Sequence, residues 1–157
     1  MRCLIIDDEK PALVEMRRLL SVHPDIDVVG EATNVEAALE IFRQAKPEVV
    51  FLDIQLRGET GFDFWGQADE PLSRIVFVTA HDRYAIRAFE CNALDYLLKP
   101  VHPDRLAETL RRVRSSPRPP SRALPEDAVL VKMNSTARFV PWSEIQSVES
   151  AGNYTRL

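Results

Sequence analysis

Two short runs constrain the fold more than any other feature of the chain: Val49-Val50-Phe51-Leu52 and Ile75-Val76-Phe77-Val78 are apolar without alternation. A strand with one wet face alternates, so a strand that is apolar throughout must be covered on both faces, as in a parallel sheet wrapped by helices. Runs at Cys3–Ile6, Asp27–Val29, Glu48–Leu52, Arg74–Val78 and Ala93–Leu98 read as strands, and segments of helical spacing separate them. The first helix is predicted to open near Pro11 and to bury Leu13, Met16, Leu19 and Leu20. Asn34 can cap the second, which turns Ala37, Ala38, Ile41 and Phe42 inward and stops before Pro47. A short third helix follows Gly61, a fourth covers residues 83–90, and a fifth runs from Asp104 to Val113 with Leu106, Leu110 and Val113 on one face. The pattern predicts an α/β fold, a doubly wound five-stranded parallel sheet whose site lies beyond the carboxyl ends of the strands.

This pattern fills residues 1–114 of 157. Residues 115–126 carry Pro117, Pro119, Pro120 and Pro125 among Ser and Arg and read as an extended linker. Beyond it, Val129–Lys132, Arg138–Val140, Ser147–Glu149 and Tyr154–Leu157 read as short strands of a separate β-rich unit, 127–157, that is too small to close a core of its own and is expected to be a fragment or to be completed by another chain. A net charge of −4 gives no general case for nucleic-acid binding, although arginines gather at 111, 112, 114, 118 and 122. Cys3 and Cys91 lack disulfide or metal-ligand spacing. No run resembles a signal peptide or a membrane span, so a cytoplasmic location with no membrane partner is expected.

Placed on this fold, the strand ends carry Asp7 and Asp8, Asp53, Thr79 and Lys99. Each has an ordinary explanation: either aspartate of the first pair could cap the next helix, Thr79 could fill a strand end, and Lys99 could be a solvated cation. Together they present three carboxylates that repel unless protons or a cation neutralise them. With no thiolate or imidazole in the set, Mg²⁺ suits better than zinc, and the set suits phosphoryl transfer with Asp53 as nucleophile. Gly58 and Gly61 leave room beside Asp53 for a tetrahedral group.

Ile6-Asp7-Asp8-Glu9, Phe51-Leu52-Asp53-Ile54, Val78-Thr79-Ala80 and Leu97-Leu98-Lys99-Pro100 resemble, in order and approximate spacing, the receiver domain of two-component response regulators. The resemblance implies a flavodoxin-like strand order 2-1-3-4-5 and phosphorylation of Asp53 by a sensor histidine kinase. It implies Mg²⁺ held by Asp8, Asp53 and the backbone carbonyl of Gln55, with Asp7 acting through water. Thr79 and Lys99 would contact the phosphoryl group, the Lys99-Pro100 bond would be cis, and Tyr96 would turn inward with Thr79. The surface formed by the fourth helix, fifth strand and fifth helix would then switch and could pair two copies. The family's only chemistry is on itself, phosphorylation and dephosphorylation at Asp53, so no separate enzyme activity is expected. Gln55-Leu56-Arg57-Gly58-Glu59 departs from the family by lacking a Met-Pro step, which bears on phosphoryl lifetime and kinase fit. His81 admits two readings, an influence on dephosphorylation or a surface loop histidine.

The stretch from Phe77 to Phe89 and Asp95-Tyr96-Leu97-Leu98-Lys99-Pro100 look like receivers of the LytTR branch, and Trp142 to Thr155 resembles the opening strands of that branch's DNA-binding domain. A transcriptional regulator is implied as parent, with specific DNA binding expected of the full-length parent and not of this chain; an unrelated β extension is the alternative. Three other functions compete. An aspartate-nucleophile Mg²⁺ phosphatase wants a second Asp where Gln55 stands. A flavodoxin-like carrier wants a phosphate cradle where Asp7-Asp8-Glu9 would repel phosphate. A phosphorylation-independent interaction module stays open.

Overall fold

The structure, a computed structural model, describes residues 1–68, 74–81, 84, 88 and 93–116 in full, and the backbone of 128–133, 136–141, 149–151 and 154–156. The chain divides into two compact units, Met1–Pro120 and Ser121–Leu157.

In the first unit five strands form one sheet: β1 (Arg2–Ile6), β2 (Asp27–Ala32), β3 (Val49–Leu52), β4 (Ile75–Thr79) and β5 (Asp95–Leu98), all paired in parallel in the order β2-β1-β3-β4-β5. The strand pleat sends alternate residues to opposite faces. On one face Leu4, Ile6, Val50, Leu52, Ile75 and Phe77 join a core closed by α2 (Val35–Ala45) and α3 (Gly61–Gln67). On the other, Cys3, Ile5, Val49, Phe51, Val76 and Val78 pack with α1 (Lys10–Ser21) and α4 (Pro103–Ser115). The uninterrupted apolar runs therefore feed two cores, one above and one below the sheet.

The helices begin where the chain supplies local reasons. Pro11 lies in the first turn of α1, and Asn34 accepts a 2.8 Å hydrogen bond from the Ala37 amide at the start of α2. Lys46, with φ of 45°, ends α2 in the left-handed region before Pro47. The apolar stripe of α2 is rotated from the expected one: Val35, Ala38, Leu39 and Phe42 are buried, while Ala37 and Ile41 pack at the margin. Ile41 sits there because it rests on Gly30 of β2, whose missing Cβ would lie 2.5 Å from the Ile41 Cγ2. α4 is the expected fifth helix; of the fourth, only Tyr84 and Ala88 are among the described residues, as Cys91 is not. Among the described residues no helix is long and apolar enough to cross a membrane.

In the second unit Ala128–Met133 pairs antiparallel with Thr136–Pro141, and Glu149–Ala151 with Tyr154–Arg156. The expected strands at 129–132, 138–140 and 154–157 fall largely on these elements, whereas most of the expected linker lies outside the described residues.

Candidate functional site

The carboxyl edge of the sheet brings together all five residues expected there. The Asp53 amide donates to Ile6 O at 2.8 Å, which holds the end of β3 against β1, and the Lys99 amide donates to Thr79 O at 2.9 Å, which ties the end of β5 to β4. Asp7 and Asp53 are almost wholly buried, and each carboxylate is steadied from its own loop, Asp7 Oδ1 by the Glu9 amide and Asp53 Oδ1 by the Gln55 amide. Such local turns fix the carboxylate rotamer before any ligand arrives.

Lys99 Nζ lies 2.6 Å from Asp53 Oδ2 and 2.6 Å from Asp7 Oδ2. The Lys99-Pro100 bond is cis. Burial works to lower the pKa of this lysine, but the hydrogen bonds and charges of Asp53 and Asp7 outweigh it, so the pKa is raised and the ammonium stays charged at neutral pH. For Asp7 burial is the larger influence and raises its pKa against the opposing hydrogen bonds from Lys99 and the Glu9 amide. One carboxyl oxygen from each of Asp7, Asp8 and Asp53 falls within 4.8 Å of the others.

Three carboxylates against Lys99 and the long, exposed contact of Arg57 with Asp8 still leave the pocket short of positive charge, and all the donors are hard oxygens, so the residues present fit a Mg²⁺ ion. Thr79 is fully buried and its Oγ1 has no hydrogen-bond partner. A buried hydroxyl without a partner is costly, and the site is the place where a partner can come from. A cavity of about 500 Å³ opens over these groups, lined by Asp8, Asp53, Gln55, Thr79 and Lys99, with Arg57 at its edge. The volume admits a phosphoryl group with its donor.

Tyr96 is half-buried, and its hydroxyl donates to the backbone oxygen of His81, the residue two beyond Thr79. The arrangement links the aromatic of β5 to the loop after β4. The His81 ring meets Tyr84 edge-on at 6.1 Å.

Sequence reasoning missed two features. Residues 55–56 and 59–60 form a small antiparallel hairpin after Asp53, which carries Arg57 to within 3.9 Å of Asp8. Asp95, expected simply as a strand residue, is buried and clamps β5 to α4: Arg105 grips both its oxygens, at 2.5 and 2.9 Å, and Thr109 Oγ1 donates to it at 2.7 Å. A charged residue opening an otherwise apolar strand, with Arg and Thr one helical turn apart downstream, was the available signal.

Residues 3–111 match the family model described as the response regulator receiver domain. An uncharacterized response regulatory protein of Vibrio vulnificus is 50% identical over 114 residues, 72% of this chain and 47% of that protein. Sensory transduction protein LytT of Bacillus cereus is 41% identical over 116 residues, 73% of this chain and 47% of that protein. Transcriptional regulatory protein BtsR of Salmonella typhi is 39% identical over 142 residues, 90% of this chain and 57% of that protein. This chain thus spans about half the length of the curated relatives it matches. Among solved structures, the response regulatory domain of mrkE from Klebsiella pneumoniae aligns with a TM-score of 0.64 at 30% identity, covering 73% of this chain and 95% of that one.

Proposed function

The chain belongs to the response regulator receiver family, and from that membership we propose that Asp53 accepts a phosphoryl group from the phosphohistidine of a sensor histidine kinase. An oxygen of the Asp53 carboxylate attacks phosphorus, the phosphorus–nitrogen bond breaks, and the imidazole leaves with the electron pair. The observation that carries this reading is the Lys99 ammonium, 2.6 Å from Asp53, beside the buried and unpartnered Thr79 hydroxyl. Lys99 offsets charge on the phosphoryl oxygens and Thr79 donates to one of them. Asp8, Asp53 and the Gln55 backbone carbonyl would hold Mg²⁺, with Asp7 behind them; the ion supplies charge neutralisation at the transferring group.

Once Thr79 turns to the phosphoryl group, the loop that carries His81 shifts, and with it the acceptor of the Tyr96 hydroxyl. This couples phosphorylation of Asp53 to the face that includes β5 and α4, a two-state element on which a second copy can dock. Similarity to LytT and to the transcriptional regulator BtsR supports a LytTR-type parent in which residues 127–157 open a DNA-binding domain, 115–126 link it, and 1–114 form the receiver. Incubation with a small acyl phosphate and Mg²⁺ followed by intact mass tests the acceptor reading. One phosphoryl adduct is expected, lost with EDTA and in Asp53→Asn; an unchanged wild-type mass, under conditions that label another receiver, refutes it.

A further inference from the structure

Asp7 and Asp53 share the Lys99 ammonium, whereas among the described residues the cation that reaches Asp8 is Arg57, with Nε 3.9 Å from Asp8 Oδ2. The backbone places it there. Arg57 and Gly58 form the two-residue turn between Gln55–Leu56 and Glu59–Thr60, and Gly58, at φ of 81°, takes the turn position that favours glycine. The hairpin is anchored on both sides. The Gly61 amide donates to Ile54 O at 2.8 Å, Glu59 Oε2 accepts from the Val35 amide at 3.3 Å, and Thr60 is capped by Asp63 at 2.7 Å. A side chain on an anchored turn loses less freedom when it pairs than one on a loose loop. The Arg57 side chain itself is 87% exposed, so it can leave Asp8 without disturbing the core.

We infer that Arg57 is the resident counter-ion of Asp8, one that a divalent cation must displace, so that this arginine sets the metal affinity of the site. The inference rests on the Mg²⁺ reading above. With Arg57 against Asp8 the carboxylate is partly neutralised; a divalent ion arriving on the same oxygens loses that attraction and meets a like charge at close range. The Arg57–Asp8 contact is long and solvated, so the effect is modest: about two- to fivefold in metal affinity, the equivalent of an exposed ion pair. Such a residue raises the Mg²⁺ concentration at which phosphoryl transfer becomes possible, without touching the transferred group.

Calorimetric titration of Mg²⁺ into the full chain tests this with no phosphorylation step. Arg57→Ala is expected to bind Mg²⁺ about two- to fivefold more tightly than wild type. Arg57→Lys, which keeps the charge, stays near wild type. Lys10→Ala, which removes a charge nearby on α1 outside this contact, leaves affinity unchanged. Asp8→Asn loses most binding. The inference is overturned if Arg57→Ala leaves affinity unchanged, if Arg57→Lys tightens it as much as Arg57→Ala, or if Lys10→Ala tightens it equally, the last meaning that net charge alone acts. A wild-type chain that binds no Mg²⁺ defeats the metal reading itself and this inference with it.

Discussion

Gly61 opens α3 directly against the acceptor, and replacing it by alanine sets local propensity against packing in a way the structure resolves. A Cβ at position 61 would lie 2.3 Å from the backbone oxygen of Asp53 and 3.0 Å from Leu52 Cγ. Backbone lies on both sides of the closer contact, so no side chain can swing away. Restoring an ordinary carbon–oxygen separation requires a displacement of about 1 Å between α3 and the end of β3. Overpacking of this kind costs roughly 1–3 kcal/mol, against a gain of at most about 1 kcal/mol from removing a glycine. The shift falls on Asp53, where a misplacement of about 1 Å can slow a positioned reaction by up to ~100-fold. Gly66 supplies the control, since it lies in the same helix and nothing stands within 4 Å of its Cβ. Urea unfolding should show Gly66→Ala equal to or more stable than wild type by up to about 1 kcal/mol, and Gly61→Ala less stable by about 1–3 kcal/mol. The rate of labelling by an acyl phosphate should drop in Gly61→Ala alone. Equal stability and equal labelling in the two variants would refute the close approach of α3 to the acceptor.

Asp95→Asn should cost about 1–3 kcal/mol at neutral pH, below the full value for a buried pair because Arg105 is partly exposed. Burial opposes ionisation of Asp95, but hydrogen bonds from Arg105, Thr109 and the Tyr96 amide hold its pKa below the ordinary range. Its contribution is therefore complete above the unfolded value near pH ~4 and lost as pH falls through the folded one, so chemical denaturation across that window should show a flatter acid limb in the variant. Lys99→Ala leaves Asp7 and Asp53 without their shared cation; its stability deficit should shrink as the solution is acidified and Asp7, whose pKa burial raises, takes up a proton ahead of an ordinary carboxylate. A deficit independent of pH would contradict the pairing. Asn34→Ala should lower stability by about 1 kcal/mol through loss of the α2 cap, read as a fall in Tm.

The parallel sheet and the placement of five polar residues at its strand ends were legible because each rests on a short pattern, an apolar run long enough to cross a core and a polar residue where the run stops, whereas the strand order came only through the resemblance to the receiver family. The rest depends on contacts that no local pattern carries. The hairpin at 55–60 has strands of two residues, too short for any period to register. In α2, Ile41 packs against Gly30 of another strand, a contact that the spacing of the helix alone does not carry. The late arginines read as one basic cluster, yet Arg112 pairs with Glu108 and Arg114 with Asp25, and Asp95 turns out to be the partner of Arg105. Thr79 could be placed at a strand end, but that its hydroxyl is buried and unpartnered follows only from the packing of β4 between β3 and β5.

The central claim is that Asp53, and neither of the other two carboxylates, is the nucleophile. Reductive trapping of the acyl phosphate with borohydride, followed by peptide mapping, converts the modified aspartate to homoserine and locates it. The account predicts homoserine at position 53 in a Mg²⁺-dependent amount, with Asp7 and Asp8 unchanged. Homoserine at position 7 or 8, or a phosphoryl group that survives on another side chain while Asp53 stays intact, would contradict it.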